Sequence, residues 1–123
     1  MPPPHPDLLT QLFLVFLYKG PQWTAQDTPE SARVLDGHFA HLDAMRQAGH
    51  LLLSGPLPEG GELRGLSLYQ AGSLAEARAL AESDPAVQAG RFILQVQPML
   101  VQMAHLRGLG GGRVEGMDQK AAR

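Results

Sequence analysis

The sequence predicts an α+β domain, a ferredoxin-like βαββαβ chain whose four-stranded antiparallel sheet carries both helices on one face. Three observations lead there. Short apolar runs and helical stripes follow one another in the order strand, helix, strand, strand, helix, strand. Gly-Pro, Gly and Asp-Pro signals stand at the boundaries between them. Crossovers between parallel strands are right-handed, which lays this order out as one sheet with its helices together. A different layering of the same α+β elements is the alternative.

The first strand is Leu12 to Tyr18, a continuous apolar and partly aromatic run stopped by Gly20-Pro21. Its length and lack of alternation fit a strand buried on both faces. Thr28 is the N-cap of the first helix, with Pro29 at its first position. From there to Ala48, Val34, Leu35, His38, Phe39, Leu42 and Met45 make one stripe, and Gly49 supplies the stop. His50 to Ser54 is the second strand, closed by Gly55-Pro56, and Gly65 to Ala71 alternates as the third. Ser73 and Glu76 have the spacing of a capping box at the head of an alanine-rich helix that runs to about Ser83. Asp84-Pro85 interrupts it, because proline disfavours helical geometry in the residue before it. Phe92 to Gln97 is the fourth strand. Pro98 is expected to end it, and residues 99–107 to form a short helix. The folded domain thus covers 10–107, between a proline-rich lead-in at 1–9, expected to be disordered, and a glycine-rich tail at 108–123, expected to be flexible.

Composition narrows the class. At 123 residues there is room for one core. An apolar share of 44% against 18% charged excludes a disordered chain. A net charge of −2, with arginines scattered through the sequence, gives no footprint for nucleic acid. Without cysteine there is no disulfide framework, thiolate metal site or cysteine nucleophile. The apolar run at 12–18 lacks a basic flank before it and is far too short to cross a bilayer, so no membrane association is expected. The expected location is cytoplasmic.

Two helices cover only one sheet face. Leu12 to Tyr18 and Leu51 to Leu53 nevertheless offer apolar side chains to both. Soluble monomers rarely leave so large a patch in water, so the expected cover is a second copy, which makes the protein a homodimer.

The stretch from His38 through Leu42 to Gly49, followed by Leu51-Leu52-Leu53-Ser54-Gly55-Pro56, resembles the first half of YCII-related proteins. The second half is similar too, in its Ser-x-x-Glu-Ala helix start, in Asp84-Pro85-Ala86-Val87-Gln88-Ala89-Gly90, and in a last strand ending at Pro98. The likeness spans roughly residues 10–100 and departs at His41, usually an ordinary helix residue, and at Met99, where an aromatic is common. It implies a dimeric α+β barrel, in which two sheets pack face to face, and a histidine–aspartate pair in a cleft, matched here by His38 and Asp84. Members with an assigned reaction suggest small-molecule elimination, isomerisation or lactone chemistry.

His38 with Asp84 would suit such work. An imidazole can take up a proton near neutral pH and return it, while a carboxylate on one ring nitrogen fixes the tautomer and stabilises the imidazolium. Against this, a helix histidine also serves as a half-buried residue bonded to a backbone carbonyl. Asp84 before Pro85 is a good N-cap that needs no chemistry. Tyr18, Ser54 and Tyr69 lie on strands or strand ends where hydroxyls could orient a polar substrate; each is equally an ordinary strand residue. Trp23, in the loop after the first strand, is either a pocket lid or a cover for the core. His38 and His41 are one helical turn apart, yet no third ligand stands at a convincing distance, so no metal is expected. The glycines at 108–112 have no following Lys-Ser or Lys-Thr and no flanking strand and helix, which rules out a phosphate loop.

The expected function is a cofactor-independent lyase or isomerase acting on a small hydroxylated or carbonyl compound through His38 and Asp84. A non-catalytic small-molecule binding or accessory module using the same dimer cleft is the alternative, and a structural interaction protein is a third possibility.

Overall fold

The computed structural model describes residues 8–107 and 109. Its elements run β1 (Leu9–Lys19), α1 (Pro29–Gln47), β2 (Leu51–Pro56), β3 (Leu63–Tyr69), α2 (Leu74–Glu82), α3 (Pro85–Gln88) and β4 (Phe92–Gln102), followed by a 3-10 turn at Met103–Leu106. The four strands form one antiparallel sheet in the order β2-β3-β1-β4, the ferredoxin-like arrangement expected from the sequence. Except for Leu8, Leu9 and Leu109, the lead-in and the tail lie outside the described residues; Leu9 already opens β1.

The helix starts behave as their sequences dictate. Thr28 and Ser31 form a reciprocal capping box, with each side-chain oxygen accepting from the other's backbone N–H at 3.0 and 2.9 Å. Such a cap contributes about 1 kcal/mol. Gly49 follows the end of α1 with φ of 85°, the left-handed geometry expected of that stop. At α2, Ser73 accepts from the N–H of Glu76, while the Glu76 carboxylate turns to the N–H of Gly72 instead of closing the box on Ser73.

Two strands take in the prolines expected to close them. β2 continues through Pro56, which pairs with Gly65, and β4 passes Pro98, opposite Phe13, to reach Gln102. The short helix expected at 99–107 is therefore strand to Gln102, with only the single 3-10 turn after it. The physical reason is position. β2 and β4 are the two edges of the sheet, and a strand with one unpaired side can hold a proline without losing a ladder hydrogen bond.

Side chains alternate across the sheet. Phe13, Val15 and Leu17 of β1, Tyr69 of β3 and Val96 of β4 face the helices and form the core with Ala77 and Ala81 of α2 and Ala86 of α3. Those alanines are 0–4% exposed, and their small size lets α2 and α3 lie close against the sheet. From α1, Val34, Leu42 and Met45 pack onto this core, but Phe39, placed in the same stripe by periodicity, is 59% exposed. The other face presents Leu14, Phe16, Leu53, Leu66 and Ile93, none of them in the core cluster, together with the buried Leu12 and Leu68.

Candidate functional site

Asp84 sits where α2 ends and α3 begins, and it has two partners. Its Oδ1 accepts from the N–H of Ala86 at 2.8 Å, the N-cap bond of α3. Its Oδ2 lies 2.6 Å from Nδ1 of His38 on α1. Capping and pairing therefore coexist, one on each carboxylate oxygen. The approach of α1 to α3 that permits this runs through Gly37, where an added Cβ would lie 3.3 Å from Cβ of Pro85. Any side chain there would press α1 away from α3 beside the pair.

The pair is dry. His38 is 8% exposed and Asp84 3%. A buried carboxylate accepting two hydrogen bonds is well compensated, and it directs the Nδ1–H tautomer of a neutral ring. That leaves Nε2, which has no protein partner among the described residues, as the nitrogen free to exchange a proton. The ring is steadied by Phe39 and Phe92, both with centroids 5.4 Å away in tilted geometry.

One helical turn on, His41 is buried behind this pair, with Nε2 3.3 Å from Oη of Tyr69. Burial pushes its pKa below 6.5, with a smaller lowering from His38, and outweighs the opposing pull of Asp84. Tyr69 is pushed up to about 12 by burial and secondarily by Asp84. Both shifts favour the uncharged forms, a protonated phenol beside a neutral imidazole. Among the described residues no group of three His, Asp or Glu side chains is placed to hold a metal ion.

His38 forms part of the wall of a cavity of about 380 Å³ between α1 and the sheet. Leu17, Leu35, Leu42 and Phe92 give it an apolar body, and Phe39 stands at its side. Ser54 also lines it and is bonded to the buried Ser67 at 2.8 Å between hydroxyls. Trp23, Arg64 and Arg91 complete the polar end. A wider depression of about 580 Å³ shares Trp23 and Arg91 but contains neither His38 nor Asp84, so the smaller cavity is the one that reaches the His38–Asp84 pair.

Of the residues singled out from sequence, His38 and Ser54 line the cavity, and Asp84 stands directly behind His38. Tyr69 is 2% exposed and belongs to the layer behind the pair, so it does not meet a ligand in this cavity. Tyr18 is on the opposite face of the sheet, where its hydroxyl reaches Oε1 of Gln95 at 3.4 Å. The reason is parity: Leu17 faces the helices, so the next residue cannot. Trp23 lines the cavity and also packs against the core cluster. Arg64 and Arg91 went unnoticed, since neither stands in a motif.

The family described as YCII-related domain matches residues 12–100. One solved structure similar to this chain is 5-chloro-2-hydroxyhydroquinone dehydrochlorinase (TftG) from Burkholderia phenoliruptrix AC1100 in complex with 2,5-dihydroxybenzoquinone; the match has 21% identity and a TM-score of 0.49, and covers 70% of this chain and 90% of that one. No curated protein matches the chain significantly.

Proposed function

The chain belongs to the YCII-related domain family, and from that premise we propose that it is a cofactor-independent lyase or isomerase acting on a small hydroxylated or carbonyl compound. The observation that carries this reading is the 2.6 Å contact between His38 and Asp84 at the wall of an unfilled cavity. Nε2 of His38 removes a proton from carbon beside a carbonyl, or from a phenolic hydroxyl, and the ring becomes an imidazolium that Asp84 stabilises. The same proton then returns at another carbon, giving an isomer, or a leaving group departs and carries the electron pair away. Ser54 donates a hydrogen bond to the substrate from the sheet side. General acid–base catalysis of this kind is worth about 100- to 10,000-fold. A cavity filled by side chains would have favoured a structural role, and this one is not filled.

The assembly belongs to the same proposal. A second copy covers the open sheet face, where Leu53 is 45% and Ile93 54% exposed beside Phe16 and Leu66. This is the face-to-face packing of a dimeric α+β barrel.

The test is turnover of a panel of small phenols, lactones and keto acids by the wild-type protein and by His38→Gln. The expected result is a substrate whose kcat falls about 100- to 10,000-fold in the variant while its melting temperature holds. Undiminished turnover by His38→Gln would remove the histidine from the reaction. Tight binding with no turnover in either protein would favour the accessory binding module.

A further inference from the structure

The polar end of the cavity is cationic and unneutralised. Arg64 and Arg91 come from β3 and from the turn before β4, far apart in sequence, yet both line it, and no carboxylate lines it with them. Neither arginine is in an ion pair among the described residues, where the pairs formed are His38 with Asp84 and Arg46 with Asp43. Arg64 spends one donor on the carbonyl of Gly61 at 3.1 Å, and Arg91 makes a long contact to the carbonyl of Thr24 at 3.4 Å. The Nε of Arg91 is buried with no hydrogen-bond partner among the described residues. Burying a charged donor without a partner is costly, and proteins retain such groups chiefly where something else supplies the acceptor.

The backbone holds Arg91 in this place. Gly20 N–H donates to the carbonyl of Arg91 at 2.7 Å, and Gln22 N–H to that of Gly90 at 2.8 Å. A Cβ at Gly20 would lie 2.3 Å from the Gly90 carbonyl oxygen, so only glycine permits the junction. The same junction carries Trp23, whose ring has Arg64 at 5.5 Å and Arg91 at 5.9 Å from its centroid. Phe92 has His38 on one side at 5.4 Å and the Arg91 guanidinium at 5.5 Å, which puts both ends of the cavity within reach of one small molecule.

We propose that Arg64 and Arg91 form an anion grip, and that the substrate is a small organic carboxylate held by them at one end while its apolar body lies toward His38. This rests on the cavity being the substrate site proposed above. A guanidinium fork matches a carboxylate in shape as well as charge, and the apolar walls leave little water to compete. Consistent with two cations facing one empty space, burial and then the neighbouring Arg64 lower the pKa of Arg91. A bound carboxylate relieves both.

Benzoate and benzamide, which share a shape and differ in charge, are the probes. Binding to the full-length wild-type protein is read by calorimetry and by the fluorescence of Trp23, the sole tryptophan. Benzoate should bind about tenfold or more tightly than benzamide, the worth of one charge-assisted hydrogen bond or better. Arg91→Gln and Arg64→Gln should each remove most of that preference, and His38→Gln should keep it. Equal affinity for the two probes in the wild type, or no binding of either at millimolar concentration, would overturn the grip. Because His38→Gln is scored here by preference and in the preceding test by turnover, the two proposals fail separately.

Discussion

The two faces of the sheet are built from the same strands and yet do opposite things. The covered face holds Phe13, Val15, Leu17 and Tyr69 against the helices. Its polar groups include the linked sets His38 with Asp84, His41 with Tyr69 and Ser54 with Ser67, beside the buried Arg91 Nε that has no partner among the described residues. The open face is mainly apolar and carries Phe16, Leu53, Leu66 and Ile93, with Gln97 and the Tyr18 hydroxyl reaching Gln95 among its polar groups on β1 and β4. The linked polar side chains on the covered face thus find partners from a helix, as His38 and His41 show, or from the neighbouring strand, as Ser54 and Ser67 show.

The sharpest way to break this contrast is one substitution on each face. Phe13→Ala on the covered face opens a cavity in the core and should cost about 3–5 kcal/mol by denaturant unfolding. Ile93→Asp on the open face should leave the isolated fold near its original stability, because the side chain is already 54% exposed, but should shift sedimentation from dimer to monomer. A wild-type protein that sediments as a monomer at micromolar concentration would sink the dimer outright.

A smaller effect sharpens the chemistry of the covered face. Asp84→Ala should cost about 1 kcal/mol more than Asp84→Ser, because serine still caps α3. Both should lower turnover alike, and nitrogen NMR of the His38 ring should show the fixed tautomer lost in each. Serine restoring turnover along with stability would make Asp84 a cap only.

Much of this was legible in the sequence. Thr28-Pro29, Gly49, Ser73 and Asp84 marked helix boundaries because capping is local and uses residues within a few positions of each other. The order of elements sufficed for the sheet. What stayed hidden needs the third dimension. A continuous apolar run such as Leu12 to Tyr18 carries no parity, so nothing in it shows that Tyr18 turns away from His38. The arginines looked scattered because Arg64 and Arg91 meet only after β3 and the turn before β4 come to the same end of the cavity. The His41–Tyr69 pair joins a helix to a strand and leaves no spacing to read.

The smallest expected effect concerns that buried pair. Burial holds His41 below its unfolded pKa of 6.5, so at lower pH the unfolded chain binds a proton that the folded chain refuses. The stability is fully present above 6.5 and is lost as pH falls from there toward the folded value. His41→Gln, which keeps an acceptor for Tyr69, should flatten the melting-temperature profile over that window. An unchanged acid slope in the variant would assign it to other groups.

The prolines at the sheet's two borders bear on how chains meet. An eleven-residue outer strand such as β4 is a template on which another chain could add its own strand, the first step of fibrous aggregation. Pro98 interrupts that row of donors past its middle, and Pro56 ends the short strand at the opposite border. A ring that cannot fit between paired strands must face outward, where it blocks the incoming backbone. Lateral growth of the sheet is therefore obstructed at both borders, and the broad side is the avenue left open for association.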